Sequence, residues 1–252
     1  MNQHLGFAHL RASGYALLIA LSLIAFQVHA TAVVVTSTTT SPPTTTTTTV
    51  AGTTTTTQAP LTISLDLAKG WNLAGNGTDA TFDVESLFAD GSRYVTVWKW
   101  LAMQNIWAFY APALAAQGGS ALADYANAKG YQVLATIGAG EGFWVNTAQA
   151  GSVSVPSGNP VSIAALGPTL VKGWNLAALG EVATPKYFCD AQTGGVTTLW
   201  AWDATSSAWY FYAPSLASTG GLAGYIGSKG YLDFTTNSKT LAQGVGFWVN
   251  KP

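Results

Sequence analysis

The chain has 252 residues, of which only 8% are Asp, Glu, Lys or Arg, and its formal net charge is −1. An average soluble protein carries about 25% charged residues, so the sequence offers no electrostatic footprint for nucleic acid or an acidic membrane surface. One cysteine, Cys189, excludes an intrachain disulfide framework.

Residues 1–30 read as a targeting segment. Arg11 precedes an apolar run from Tyr15 to Phe26, and Val28-His29-Ala30 then forms a small-x-small cleavage pattern. That is the layout of a secretory signal peptide. The alternative is a retained anchor, but a dozen apolar residues fall short of the ~20 that span a bilayer core. No cysteine lies near the cleavage pattern, so lipid attachment there is excluded.

Residues 31–60 are nearly all threonine, interrupted by Ser41-Pro42-Pro43, Val50-Ala51-Gly52 and Gln58-Ala59-Pro60. Such a tract holds too little apolar surface to offset the entropy of ordering, which predicts a disordered, extended linker. Thr/Pro-rich tracts also serve as O-glycosylated stalks. Both readings, glycosylated stalk and bare linker, give it reach rather than a core.

From residue 61 onward the chain repeats itself. Lys69-Gly70-Trp71-Asn72-Leu73-Ala74 returns as Lys172-Gly173-Trp174-Asn175-Leu176-Ala177. Trp98 and Trp100 return as Trp200 and Trp202, and Trp107, Phe109, Tyr110 and Pro112 as Trp209, Phe211, Tyr212 and Pro214. Gly142-Phe143-Trp144-Val145-Asn146 returns as Gly246-Phe247-Trp248-Val249-Asn250. The offset drifts between 100 and 104, as expected if small insertions fall in loops, and all ten tryptophans fall into five pairs. The expected organisation is a Trp-rich module over 61–150 and a linker strand plus second module over 151–252.

Within each copy, the β-branched and aromatic run around Trp98 and Trp100 reads as a strand. Trp107 to Tyr110 reads as a second strand, with Ala102–Asn105 as a hairpin-length connection. Pro112 and Pro214 would end those strands. Leu122, Tyr125 and Ala126 lie at helical spacing and are closed by Gly130 after Lys129, a helix C-terminal signal repeated at Gly230. The Lys-Gly-Trp-Asn-Leu and Gly-Phe-Trp-Val-Asn segments read as short bracketing strands. The fold class is therefore mainly β with a short helix per module.

Catalytic and metal chemistry is sparse. His4, His9 and His29 all lie within residues 1–30, so a processed chain would hold no histidine for a nucleophilic triad or a zinc site. Of the acids, only Asp90 and Asp190 correspond between copies; Glu141 faces Val245 and Asp124 faces Gly224. A carboxylate pair belonging to the module is thus absent, and a glycoside-active site built between the copies is the remaining enzymatic alternative. Asp90 reads as a turn residue and Cys189, opposite Ala89, as a small buried position. No phosphate loop is present, and no cofactor or metal is implied.

The repeated aromatics serve as module core or as a platform for sugar rings, with core the favoured role for Trp71, Leu73, Trp98, Trp100, Trp107, Phe109, Phe143 and Val145. Trp144 and Trp248 alternate to the opposite side of their strands. They are the expected exposed, ligand-facing rings, beside Asn146 and Asn250. Tyr110, Tyr212, Tyr131 and Tyr231 complete the candidate binding residues.

The succession of Lys-Gly-Trp-Asn-Leu, Trp-x-Trp, Trp-x-x-Tyr with Pro, and Gly-Phe-Trp-Val resembles repeats in secreted and surface-attached bacterial and archaeal proteins. The resemblance covers about residues 61–252, and such repeats commonly accompany stalks without an assigned activity. It implies an extracellular, β-rich, non-catalytic module and brings no functional residues with it. The expected function is a secreted or cell-surface binding protein, not an enzyme, with carbohydrate the ligand class and a polysaccharide or cell-surface partner. It would have no nucleic-acid partner and no membrane span after signal cleavage. The alternative is a purely structural or adhesive matrix component.

Overall fold

The computed structural model describes residues 45–50, 53–58 and 62–252. The expected signal segment and most of the Thr-rich tract lie outside them. Within the tract, β1 (Thr45–Val50) and β2 (Thr53–Gln58) pair antiparallel, with Thr45 opposite Gln58 and Val50 opposite Thr53. Threonine's branched Cβ suits extended backbone.

The remainder is mainly β with several short helices. In its first half the strands are β3 (Thr62–Leu67), β4 (Gly70–Gly75), β5 (Phe82–Asp83), β6 (Tyr94–Leu101), β7 (Ile106–Tyr110), β8 (Gln132–Val133), β9 (Thr136–Ile137), β10 (Gly142–Thr147) and β11 (Gly151–Pro156). The central sheet runs β4-β10-β6-β7-β8, antiparallel except for the last pair. The second half holds β12 (Gly173–Ala178), β13 (Thr198–Asp203), β14 (Ala208–Tyr212), β15 (Leu232–Asp233) and β16 (Gly244–Lys251). Its order is β12-β16-β13-β14-β15, so the same strands pair in the same sense. Registers match as well: Asn146 faces Trp71 in one half and Asn250 faces Trp174 in the other.

The hairpin expected around Trp98–Tyr110 is present as β6–β7, with Trp98 opposite Phe109 and Trp100 opposite Trp107. Asn105 and Ser207 take positive φ to close this turn and its counterpart. The helix expected at Leu122–Ala126 is also present, as α3 below. Gly130 (φ 74°) and Gly230 (φ 69°) supply the left-handed turn, and the N–H groups of Tyr131 and Tyr231 reach back to Ala126 O and Ile226 O.

More helix is present than one segment per module. The first half contains α1 (Val84–Phe88), α2 (Pro112–Ala115) and α3 (Ala121–Ala128); the second contains α4 (Ile163–Leu166), α5 (Pro185–Asp190), α6 (Pro214–Ser218) and α7 (Leu222–Lys229). The additional helices are short and set by their first residues. Asp83 and Thr184 accept hydrogen bonds from the N–H groups of Ser86 and Tyr187 as N-caps. Pro112 and Pro214 end the preceding strand as expected and then open α2 and α6, where a missing N–H costs nothing. Among the described residues no helix is long and apolar enough to cross a membrane.

Each sheet has two unlike faces. One carries Phe143 and Val145 on β10 (Phe247 and Val249 on β16) and closes a core of Phe, Leu, Val and Tyr side chains. In the first half that core is covered by α1 and by the β3–β11 ladder, whose Leu65, Leu67, Val153 and Val155 point inward. The linker strand expected at the start of 151–252 therefore supplies a strand, β11, to the first half. In the second half α4, α5 and the segment around Phe234 and Leu241 do the covering. No tryptophan belongs to either core cluster. The expectation that Trp71, Leu73, Trp98 and Trp100 pack with Phe143 and Val145 is corrected: they lie on the other face.

The two sheets join edge to edge. Gly244 and Val245 of β16 pair with Gly75 and Ala74 of β4, and Glu141 forms the reciprocal bridge to Ala177 of β12. The backbones approach so closely there that a side chain cannot intervene. A Cβ on Gly246 would overlap the Ala74 carbonyl, and one on Gly142 would lie 2.7 Å from Ala177 O.

Candidate functional site: the tryptophan layer

The second face of each sheet is a layer of indoles, because residues two apart on a strand share a face. Trp71 on β4, Trp144 and Asn146 on β10, Thr96, Trp98 and Trp100 on β6, and Trp107 on β7 all project from it. The second half presents the equivalent set, and the two layers meet. Trp144 lies 6.1 Å from Trp71 of its own sheet, and 5.9 and 5.7 Å from Trp202 and Trp209 of the other half. Trp248 reciprocates at 6.0 Å from Trp174, 6.3 Å from Trp100 and 5.8 Å from Trp107. Most of these contacts are edge-to-face, the geometry favoured by the ring quadrupole.

Two hydrogen bonds fix the register of the halves. Trp100 Nε1 donates to Trp174 O and Trp202 Nε1 to Trp71 O, each at 2.9 Å. Those carbonyls lie in the N-terminal parts of β4 and β12, beyond the short contacts that join the sheets. Each half thus caps the strand edge of the other, which also blunts that edge against pairing with another chain. By contrast, the indole N–H groups of Trp98, Trp144, Trp174 and Trp200 are buried without a hydrogen-bond partner. Their contribution is ring packing.

The eight candidate residues separate into three environments. Trp144 and Trp248 do alternate away from the core, but they are only 2% and 3% exposed. The expected exposed ring is corrected, since the side chain leaves one core only to enter the layer shared with the other half. Tyr110 and Tyr212 face the two cores and are buried; Tyr131 and Tyr231 pack edge-on against Trp98 and Trp200 at 5.1 and 5.0 Å and are half-buried. Burial holds all four phenols above their ordinary pKa. Asn146 and Asn250 remain half-buried at the rim of the layer.

Other shared polar residues have structural roles. Asn72 accepts from Ala68 N–H and donates to Ala68 O and Gly70 O, and Asn175 repeats the pattern around Val171 and Gly173. Lys69, Lys129, Lys172 and Lys229 are exposed. Asp90 accepts from Ser92 N–H and Oγ, as a turn residue should; these bonds hold its carboxyl below the ordinary range. The Cys189 thiol is buried and its pKa is pushed up to about 12 by desolvation, first, and by Asp190.

Glu141 is the acid at the junction. Lys99, buried on the core face of β6, donates to Glu141 Oε2 at 2.8 Å and to Thr136 O at 2.9 Å, and Glu141 also accepts from Gly138 N–H. These contacts tie the Gly138–Gly142 turn to the sheet. Among the described residues no group of three or more His, Cys, Asp or Glu is placed to hold a metal ion.

Reading from single residues missed the rim companions of Asn146 and Asn250. Trp71 and Thr96 flank Asn146 on the two neighbouring strands; Trp174 and Thr198 flank Asn250. Their signal was present, since all are kept in both copies, but only the strand order makes them neighbours.

Comparisons with known proteins, against family models, curated proteins and solved structures, returned no match.

Proposed function

We propose that this is an exported, non-catalytic protein whose folded part is a tandem duplication locked into one rigid unit, serving as a structural or adhesive component of a cell surface or extracellular matrix. The reciprocal tryptophan layer carries the reading. A pair of modules on a flexible tether would have independent faces, whereas here six of the ten indoles, Trp100, Trp107, Trp144, Trp202, Trp209 and Trp248, make contacts between the halves.

The duplication is supported by equal strand order, sense and register in the two halves, beyond the repeated sequence. Absence of catalysis is supported by the confinement of His4, His9 and His29 to residues 1–30 and by acids that do not recur; Glu141, the acid at the junction, is ion-paired to Lys99. Export is supported by the signal-like N-terminus and the threonine tract that follows it.

The test is fractionation of producing cells with sequencing of the recovered N-terminus. A chain beginning at Thr31 and found outside the cytoplasm is the expected result. A chain retaining Met1 and confined to the cytoplasm refutes export, and turnover of glycosides by the purified chain refutes the non-catalytic reading.

A further inference from the structure

The rim of the tryptophan layer carries a feature that packing leaves unexplained. Trp71, Asn146 and Thr96 stand side by side on β4, β10 and β6, and Trp174, Asn250 and Thr198 do the same on β12, β16 and β13. All six are half-buried. The buried asparagines of the fold are saturated: Asn72, Asn76 and Asn175 each bond neighbouring backbone through both ends of the amide. The carboxamides of Asn146 and Asn250 and the hydroxyls of Thr96 and Thr198 make no hydrogen bond to protein, although they sit mid-strand beside an indole. Yet both copies keep the same three residue types in the same row.

We propose that each row is a subsite for a neutral polysaccharide chain. The indole offers an apolar surface for the C–H face of a pyranose, while the amide and hydroxyl offer a donor and acceptors for its hydroxyl groups. No member of either row carries a charge, which suits an uncharged ligand. Strands lie about 4.8 Å apart, so a row across three strands spans about 10 Å, comparable to two linked sugar rings. The rows are held in place, because Trp144 and Trp248, next to them on the same face, are held by both halves. Two equivalent weak subsites on one body would bind a repetitive polymer bivalently. The proposal rests on the exported-pair reading only for where such a polymer is met.

The experiment is co-sedimentation of the full chain with microcrystalline cellulose, chitin and insoluble mannan, with alginate gel as a charged comparison. Retention on at least one neutral polymer is expected. Thr96→Val with Thr198→Val, and separately Asn146→Ala with Asn250→Ala, should each lower it about tenfold. Melting temperatures should stay near wild type, since these groups bond nothing in the protein. The isosteric threonine changes keep the test meaningful if the asparagine variants fold poorly. No retention on any neutral polymer, equal retention of wild type and both double variants, or retention on alginate alone overturns the proposal. None of those results bears on export or on the rigidity of the pair, which are read by different measurements.

Discussion

Trp248→Ala separates a ring shared between two halves from an exposed ligand-facing ring. Trp248 is 3% exposed and meets Trp174, Trp100 and Trp107 within 6.3 Å. Truncating a buried tryptophan costs about 3–5 kcal/mol, through lost transfer energy and the cavity left behind. Both halves line this cavity and neither can close it alone, so a value of about 4 kcal/mol is expected. For a folded unit of this size that corresponds to a fall in Tm of about 10 °C. Trp144→Ala should match it, because its surroundings are the same by pseudo-symmetry. The double variant should cost clearly less than the sum, since loosening the layer with one substitution partly releases the other ring. Urea denaturation followed by far-UV circular dichroism measures all three. A surface ring would change stability by only about 0.5 kcal/mol, so a single-variant cost below about 1 kcal/mol refutes the shared layer.

Gly246→Ala should lower Tm, because its Cβ meets the Ala74 backbone where the sheets join, at a cost of about 1–3 kcal/mol. Gly224→Ala, in the exposed first turn of α7 with nothing near its Cβ, should instead stabilise by about 0.5–1 kcal/mol; equal signs for the two would contradict the assigned contacts. The directly opposed pair Lys99–Ala108 is replaced by Ala201–Tyr210 in the second half, a large side chain moving from one strand to its neighbour. Ala108→Tyr alone should therefore overpack the first core by about 1–3 kcal/mol. Adding Lys99→Ala should recover part of that loss, and strictly additive costs in a double-mutant cycle would refute the exchange. Cys189 should resist an aromatic disulfide reagent in the folded chain at pH 8 and react fully in denaturant, since burial holds its thiol near pKa 12; rapid labelling of the native chain would contradict that burial. Asp79, Asp83 and Asp90 are held below their ordinary pKa, chiefly by side-chain hydrogen bonds to Asn159, Ser86 and Ser92. Their contribution is present above the unfolded value near 3.8 and is lost as pH falls through the lowered folded values. Acid titration of Tm should accordingly show no loss from these groups at neutral pH.

The sequence alone determined whatever depends on neighbours along the chain. Alternation placed Trp144 and Phe143 on opposite sides of one strand, and Gly130 after Lys129 marked where α3 stops. The Trp-x-Trp and Trp-x-Phe-Tyr runs, separated by a turn, specified the β6–β7 hairpin. These signals are local, and a backbone with period-two or period-3.6 patterning expresses them in any context. The recurrence of the tryptophans was also legible, because ten of them at a nearly constant offset need no structure to be counted. Only the tertiary structure decided what lies across from each face. Alternation puts Trp144 outside one core but cannot say whether the outside is water or the other half of the chain. The pairing of β4 with β16, the Trp100–Trp174 and Trp202–Trp71 hydrogen bonds, and the close approach at Gly142 and Gly246 are contacts between segments about 35 to 170 residues apart, a separation at which no periodicity survives. The same limit hid the rows at the rim, since Trp71, Thr96 and Asn146 are scattered in sequence and become one surface only when β10 lies between β4 and β6.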